Sequence, residues 1–232
     1  MSILIRATNE PKFTVNLRSV KKTVTSNSKT KLIQACSKSY KYYFYRDESV
    51  KADILVREPR RKSNRLTACE ILRTNFDFTD CKMIVFKGYI YFVYLTQITD
   101  GYSKISVRRV RVDKRYDKIT RVHDSYCYGD GLLDIKVIEN SIVVVIKNNN
   151  NGFTLIGRHY EIPLVDQGYI GFDKYNRILS YSSNYLHRIS LQSLARQDIK
   201  IPFNIDRCVY TENVIYCKVQ DRWYKLWIVN PV

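Results

Sequence analysis

A strand–turn–strand pattern recurs five times along this chain. It is clearest at Cys81 to Leu95, CKMIVFKGYIYFVYL, where two arms rich in β-branched and aromatic residues flank Lys87-Gly88. Gly88 can adopt the positive φ that a two-residue hairpin turn requires. The second arms of successive hairpins are 48, 52, 36 and 36 residues apart, and such self-similarity is typical of a repeat architecture. The other four hairpins are Lys31 to Arg46, Leu133 to Ile146, Gly168 to Tyr181 and Asp206 to Val219.

Composition favours strands over helices throughout the chain. The 232 residues include only five alanines but 19 tyrosines, and 45% are hydrophobic, which suits a β protein with a sizeable core. We therefore predict one all-β domain over 1–232, with repeat units beginning near 31, 81, 133, 168 and 206. Residues 1–30 would supply N-terminal strands and a basic loop.

The repeats resemble those of β-propeller proteins, in which each blade has four strands and about 40 to 50 residues. The last repeat ends after Trp223 to Val229 and lacks a fourth strand. Ring closure by an N-terminal strand, either Ile3–Ile5 or Phe13–Leu17, would complete it. The resemblance implies a five-bladed propeller and a binding platform. No Trp-Asp or kelch signature points to one propeller family, and a large sandwich is an alternative arrangement.

Two stretches give mixed signals. Leu66, Cys69, Leu72 and Phe76 have helical spacing behind a Thr67–Glu70 capping box, while Phe76 and Phe78 alternate as in a strand. A short helix running into a strand would satisfy both patterns. Further on, the apolar phase changes at Arg108-Arg109, which predicts a β-bulge or a break between strands.

The strongest functional signal is charge. The formal net charge is +17, with +7 in residues 1–50, +7 in 51–150 and +3 in 151–232. Such a field favours anionic partners. Two dense basic clusters are candidate nucleic-acid-binding residues, since Lys and Arg neutralise phosphates. They comprise Arg57, Arg60, Arg61, Lys62 and Arg65, and then Arg108, Arg109, Arg111, Lys114 and Arg115.

Tyrosines also lie beside cations. Tyr40 and Tyr42 are near Lys38 and Lys41, and exposed tyrosines next to cations can stack on single-stranded bases. Tyr43 and Tyr45, which share a strand face, are instead expected in the core.

Recognisable catalytic patterns are absent from the sequence. The histidines are His123, His159 and His187, and none lies in a serine or cysteine nucleophile motif. His187 shares a strand face with Tyr185 and Ile189, which favours a packing role. The chain has no GxGxxG, no GxxxxGK[ST] and no zinc-spaced Cys-His cluster. We therefore predict no catalytic residues, no metal ion and no cofactor.

We expect a non-enzymatic binding or scaffold protein whose basic surface engages nucleic acid. Two alternatives remain open: a structural subunit that binds an acidic protein in a larger assembly, such as a viral one, and a hydrolase with a site built from propeller loops. The N-terminus lacks a secretory signal, and no apolar run approaches the roughly 18 residues of a membrane span. We thus expect an intracellular protein with reduced cysteines, in which Cys208 and Cys217 face each other if Glu212-Asn213 forms the turn.

Overall fold

The computed structural model describes residues 2–8, 33–60, 68–75, 78–139, 141–148, 152–157, 160–164, 168–211 and 214–229. These residues form twenty β-strands, and the described part of the chain contains no helix. It therefore also has no helix of the length and hydropathy that crossing a membrane requires. The chain divides into two compact units. Unit one comprises Met1–Val15, Lys147–Leu155 and Glu161–Val232, and unit two comprises Asn16–Ile146 and Ile156–Tyr160.

Four of the sheets are built from strands in chain order, each pairing with the next. The first sheet contains β2 (Ile33–Cys36), β3 (Tyr40–Asp47), β4 (Ala52–Pro59) and β5 (Cys69–Thr74). The second contains β6 (Asp80–Phe86), β7 (Tyr89–Thr99), β8 (Tyr102–Arg111) and β9 (Thr120–Tyr128). The third contains β10 (Gly131–Ile138), β11 (Ser141–Lys147), β12 (Phe153–Ile156) and β13 (Glu161–Leu164). The fourth contains β14 (Gly168–Phe172), β15 (Arg177–Ser182), β16 (Tyr185–Ser190) and β17 (Arg196–Lys200).

The fifth sheet is completed by the N-terminus. Its strands are β18 (Arg207–Thr211), β19 (Val214–Val219), β20 (Arg222–Val229) and β1 (Ser2–Thr8), and β1 is the edge strand beside β20. The pairing is antiparallel, from Ser2 opposite Val229 to Thr8 opposite Trp223. The closing strand therefore includes Ile3–Ile5, the first of the two alternatives, while Phe13–Leu17 lies outside the described residues. Five four-stranded antiparallel sheets joined in this way confirm the predicted all-β fold with five-bladed propeller connectivity.

Three of the predicted hairpins have residues with positive φ angles in their turns. At the turn between β6 and β7, φ is 45° at Lys87 and 78° at Gly88, as a two-residue turn between twisted strands requires. Glu139 and Asn176 also have positive φ, of 48° and 59°, and both lie in predicted turns. Local turn chemistry thus places the strand starts close to the predicted repeat boundaries.

Each unit has buried apolar clusters between sheets. In unit two, Phe44 of the first sheet contacts Phe92 of the second, with ring centroids 4.9 Å apart. A second cluster in unit two includes Val93 of the second sheet and Val144 of the third. In unit one, Leu186 and Leu226 belong to a cluster of the fourth and fifth sheets. Fully burying side chains of this kind stabilises a fold by about 1.5–3 kcal/mol each.

The helix predicted after Leu66 is wrong where the structure describes it. Cys69–Thr74 forms β5, which pairs with β4 from Asp53 opposite Thr74 to Arg57 opposite Cys69. The edge of β4 offers a hydrogen-bonding partner for this segment, and that tertiary pairing overrides the local helical spacing. Leu66, Thr67 and Phe76 lie outside the described residues.

The change of apolar phase in β8 arises because both faces of the strand are packed. The strand is unbroken, and its two faces pack against different clusters: Val107 belongs to the cluster with Val144, and Val110 to the cluster with Phe44. The pairing of β8 with β9 also shifts register between Val107 and Arg108. The shift leaves Val122 of β9 as the extra residue, while β8 pairs with β7 without interruption from Arg111 to Ser103. The irregularity therefore lies beside the predicted position but in β9, and β8 has neither the predicted bulge nor the predicted break.

Cys208 and Cys217 lie directly opposite each other on β18 and β19. Both are buried, and all six cysteines are free thiols. Burial and the neighbouring Cys217 thiol raise the pKa of Cys208. Cys208 is therefore a protonated thiol that packs beside Cys217 in the core of unit one.

Candidate nucleic-acid interface

The first basic cluster lies at the end of β4. Arg57 is half-buried, with its guanidinium 4.8 Å from the centroid of the Tyr40 ring, and its Nη1 donates a hydrogen bond of 2.8 Å to the Val112 carbonyl. Arg60 is exposed, and its Nη1 donates to the Ser37 carbonyl at 3.2 Å. Arg61, Lys62 and Arg65 lie outside the described residues, so their predicted role remains a prediction.

The second cluster divides between the faces and the end of β8. Arg108 and Arg109 point to opposite faces, as successive strand residues do: Arg108 pairs with Asp124, and Arg109 lies 4.7 Å above the Tyr89 ring. Arg111 is exposed and pairs with Asp113 at 2.9 Å. Lys114 and Arg115, the last two residues of the second cluster, are exposed and lie in the segment that follows β8.

The structure brings parts of the two clusters together. Arg57 of the first cluster contacts the backbone of Val112, next to Arg111 of the second. The same segment is held against β5, because the Tyr116 backbone N–H donates to the Ile71 carbonyl at 2.6 Å. We call the resulting group the cationic edge. It consists of Arg57, Arg60, Arg111, Lys114 and Arg115.

The charge of the cationic edge is only partly compensated. A hydrogen bond from Arg111 holds the pKa of the Asp113 carboxyl below its usual value, so Asp113 is ionised at neutral pH. It offsets Arg111, on which Asp117 also acts, whereas Arg60, Lys114 and Arg115 add three exposed positive charges. Such a surface attracts polyanions at long range, and salt weakens that attraction.

The tyrosines beside Lys38 and Lys41 do not form a stacking surface. Tyr42 and Tyr43 are both buried, at 1% and 6% exposure, and the guanidinium of Arg57 lies over the Tyr40 ring. The expectation of core placement is right for Tyr43, whereas Tyr45 is half-buried. Tyr42 is buried because the other face of β3 also packs, against the second sheet.

Exposed tyrosines are found instead on β8 and β9. Tyr126 and Tyr128 are 51% and 75% exposed. The Tyr102 ring is nearly parallel to that of Tyr126, with centroids 6.1 Å apart, and its centroid is 5.1 Å from that of Tyr128. Lys104 lies opposite Tyr126 in the register. We call these three tyrosines with Lys104 the tyrosine patch. The sequence shows the tyrosines, but only the register of β8 and β9 places them side by side.

Asp124 links the tyrosine patch to the basic residues of β8. Its carboxylate contacts Arg108, Lys104 at 3.6 Å and Arg121 at 3.2 Å. Burial acts to raise its pKa, but the Arg108 hydrogen bond and the three positive charges outweigh burial and hold the pKa low. Three cations around one carboxylate leave this surface positive as well.

A cavity of about 350 Å³ lies in unit two beside β8, β9 and β11. Arg109, Arg121, His123 and Ser125 line it together with aliphatic side chains. Nε of Arg109 and Oγ of Ser125 are buried without a hydrogen-bond partner among the described residues. Leaving a buried polar group unpaired costs about 1–3 kcal/mol, so both groups favour a ligand that would bond to them. Of the predicted site residues that the structure describes, only Arg109 lines this cavity.

Unit one contains a chain of side-chain hydrogen bonds across three strands. Ser182 Oγ is 2.6 Å from His187 Nε2, and His187 Nδ1 is 2.7 Å from Asp198 Oδ1. Arg196 also bonds to Asp198, and it holds the pKa of that carboxyl low, with a further contribution from His187. Arg196 Nη2 is also 2.9 Å from His187 Nδ1, so an arginine N–H and the Asp198 carboxylate approach the same ring nitrogen. With a proton on Nδ1, that nitrogen donates to Asp198 and Nε2 accepts from the Ser182 hydroxyl; with Arg196 donating to Nδ1, Nε2 carries the proton and donates to Ser182. No sequence motif identifies this chain of hydrogen bonds, because its members meet only through the register of β15 to β17.

Metal-ion ligands are not clustered in the described ranges: no group of three or more His, Cys, Asp or Glu side chains there is placed to hold an ion.

No protein-family model and no curated protein matches this sequence. Solved structures resemble it in fold. A gluconolactonase from Xanthomonas campestris is 10% identical with a TM-score of 0.41, over 81% of each chain. A hypothetical protein from Leishmania major is 10% identical with a TM-score of 0.41, over 90% of this chain and 91% of that one. The WD40 domain of SCAP from fission yeast is 8% identical with a TM-score of 0.45, over 77% of this chain and 48% of that one. At these identities and TM-scores the likenesses assign the chain to no family.

Proposed function

We propose that this protein binds nucleic acid without catalysing a reaction on it, and that the cationic edge is the main contact. The observation that carries this proposal is the hydrogen bond from Arg57 to Val112, which joins two basic clusters that are far apart in sequence. Together they present several cations to one stretch of phosphate backbone. Displacement of counterions from that backbone would supply most of the affinity.

The tyrosine patch adds a preference for single strands. Exposed rings of Tyr126 and Tyr128 can stack on unpaired bases, and stacking of this kind contributes about 1–3 kcal/mol per base. Lys104 lies opposite Tyr126 and shares the Asp124 carboxylate with two arginines, so it can also approach a phosphate. Duplex DNA keeps its bases stacked on each other, so it would use the cations alone.

Fluorescence anisotropy with a labelled single-stranded oligonucleotide, over a series of salt concentrations, tests the proposal. The double variant Lys114→Glu/Arg115→Glu should weaken binding and reduce the slope of log K against log salt, by about 0.7 for each phosphate that is no longer neutralised. The matched control is Lys200→Glu/Arg222→Glu, which makes the same charge change at exposed residues of unit one. No binding at low salt, or equal weakening in both variants, would contradict the proposal.

The alternative partner, an acidic protein, would use the same field but not the stacking rings. Tyr126→Ser/Tyr128→Ser should weaken binding of the oligonucleotide and leave binding of polyglutamate unchanged. If polyglutamate binds as tightly as the oligonucleotide and neither responds to the tyrosine variant, an acidic protein becomes the better interpretation.

One observation favours a second candidate function, that of a serine hydrolase. The Ser182–His187–Asp198 distances are those of a nucleophile, its general base and the group that orients the base. A fluorophosphonate probe tests this function directly. Labelling of Ser182 that is lost in His187→Gln would support it, and an unlabelled Ser182 would leave the chain of hydrogen bonds with a structural role only.

A further inference from the structure

The cavity in unit two has aliphatic walls and also contains polar side chains. One wall consists of Ile105 and Val107 from β8, and the opposite wall includes Val144 from β11 and Ile156. The walls are aliphatic and belong to two sheets, whose faces in a packed pair lie about 10 Å apart. Ser141 contributes only a short side chain to the lining. At Gly157 the Tyr160 ring occupies the position of an added Cβ, so the lining is closed there. The result is a slot suited to a flat, largely apolar group.

The bulge in β9 concentrates polar groups at this slot. In a regular strand only alternate residues face one side, but Arg121, Val122 and His123 all line the cavity. They lie where the pairing of β8 and β9 shifts register, next to Val107. Bulges redirect side chains in this way and are common beside binding sites. Arg121 is 70% exposed and therefore stands at the opening, not inside it.

Arg109 is already oriented for a ligand. Its guanidinium lies over the Tyr89 ring, which restricts its rotamers, and its buried Nε has no described partner. An oriented arginine loses less entropy when it binds an anion and can offer two parallel hydrogen bonds to a phosphate. Ser125 Oγ, also buried without a described partner, provides a further polar group for the edge of a ligand.

We propose that this cavity binds a nucleoside monophosphate, with the base between the aliphatic walls and the phosphate at Arg109 and Arg121. A nucleotide has the flat apolar faces, the polar edge and the terminal anion that these groups match. The volume of about 350 Å³ is within the range of small-molecule sites. The nucleotide could be free or part of a bound strand, and only the second source rests on the proposed nucleic-acid function.

Isothermal titration calorimetry of the full chain with AMP, adenosine and inorganic phosphate tests the cavity. AMP should bind roughly tenfold or more tightly than adenosine, because adenosine cannot use the arginines. Ser141→Phe, which extends a side chain into the slot without changing charge, should weaken AMP binding by at least about tenfold. Arg109→Gln should do the same and covers the case in which Ser141→Phe does not fold. The Lys200→Glu/Arg222→Glu control should bind AMP as the unmodified protein does.

Absence of AMP binding, or a folded Ser141→Phe variant that binds AMP normally, overturns the proposal. The same variants, tested with the oligonucleotide, separate it from the proposed function. If Ser141→Phe weakens both ligands, the cavity holds a nucleotide of a strand; if it weakens AMP alone, the cavity holds a free nucleotide. Normal AMP binding by a protein that binds no oligonucleotide would uphold the cavity and reject the proposed function.

Discussion

Asp124 is the residue on which the charged groups of the second sheet depend most. Its side chain is 9% exposed and contacts Arg108, Lys104 and Arg121. Arg108 is itself only 17% exposed, so removal of Asp124 would leave a poorly hydrated cation without its counter-ion. Such a loss costs more than that of an exposed pair.

We therefore expect Asp124→Asn to lower the free energy of unfolding by about 2 kcal/mol at neutral pH. Because the folded pKa of Asp124 is held below its unfolded value, its contribution is present above the unfolded pKa and is lost as pH falls through the folded one. The difference between the two proteins should thus shrink below about pH 4. Urea denaturation across pH measures this.

Asp113→Asn is the matched control, since its pair with Arg111 is exposed. Pairs of that kind contribute little, so this variant should unfold nearly as the unmodified protein does. Equal losses from both substitutions would show that burial does not distinguish the two carboxylates.

His187 is a second residue whose role is open to a direct test. It is 3% exposed, and its ring bonds to neighbouring strands on both sides. His187→Ala should destabilise the protein by about 2–4 kcal/mol, because it creates a cavity and removes hydrogen bonds. Chemical denaturation gives the value. A loss under about 0.5 kcal/mol, the size usual for surface substitutions, would show that the chain of hydrogen bonds through His187 does not stabilise the sheet.

Among the elements, β1 has the clearest structural task. It pairs with β20 along the full length of β1, so the backbone groups on that side of β20 are hydrogen-bonded and are not left to pair with another chain. Ile5 packs against the cluster that contains Leu226, while its neighbour Arg6 is exposed. Ile5 therefore faces the core of unit one, and the next residue on the strand, Arg6, faces solvent.

Ile5→Asn should reduce the free energy of unfolding by roughly 1–3 kcal/mol, since it exchanges apolar contact for a polar group. Arg6→Asn, on the same strand but facing solvent, should change it by less than about 0.5 kcal/mol. Thermal or urea unfolding of both variants measures this difference. Equal effects would mean that Ile5 does not pack into the core of this sheet.

Elements are predictable from sequence where local chemistry decides them. Gly88 and the alternating aromatic arms identify the hairpin of β6 and β7, and the same pattern locates the other four hairpins. The prediction was wrong at Cys69–Thr74, where pairing with the preceding strand β4, which the local helical spacing does not reveal, selects a strand. It was incomplete at β8, because burial on both faces removes the simple alternation on which strand prediction relies.

At the scale of the molecule, charge indicates a partner class but not a site. The net charge of +17 and both basic clusters are visible in the sequence. Their meeting at Arg57 and Val112 depends on sheet packing, as the tyrosine patch and the cavity depend on the register of β8 and β9. All three features lie in unit two. The sequence thus shows which charged and aromatic residues are present. It does not show which of them lie close together, since no local pattern encodes contacts between separate sheets.

Hydrogen–deuterium exchange, measured by mass spectrometry with and without a single-stranded oligonucleotide, tests most directly whether the cationic edge is one binding surface. If it is, peptides that cover Arg57 to Arg60 and Arg111 to Tyr116 should both become protected at the same oligonucleotide concentration. Peptides that cover Ser183 to Asp198 in unit one should exchange as before. Protection confined to unit one, or of one basic segment without the other, would contradict the claim that the two clusters form a single interface.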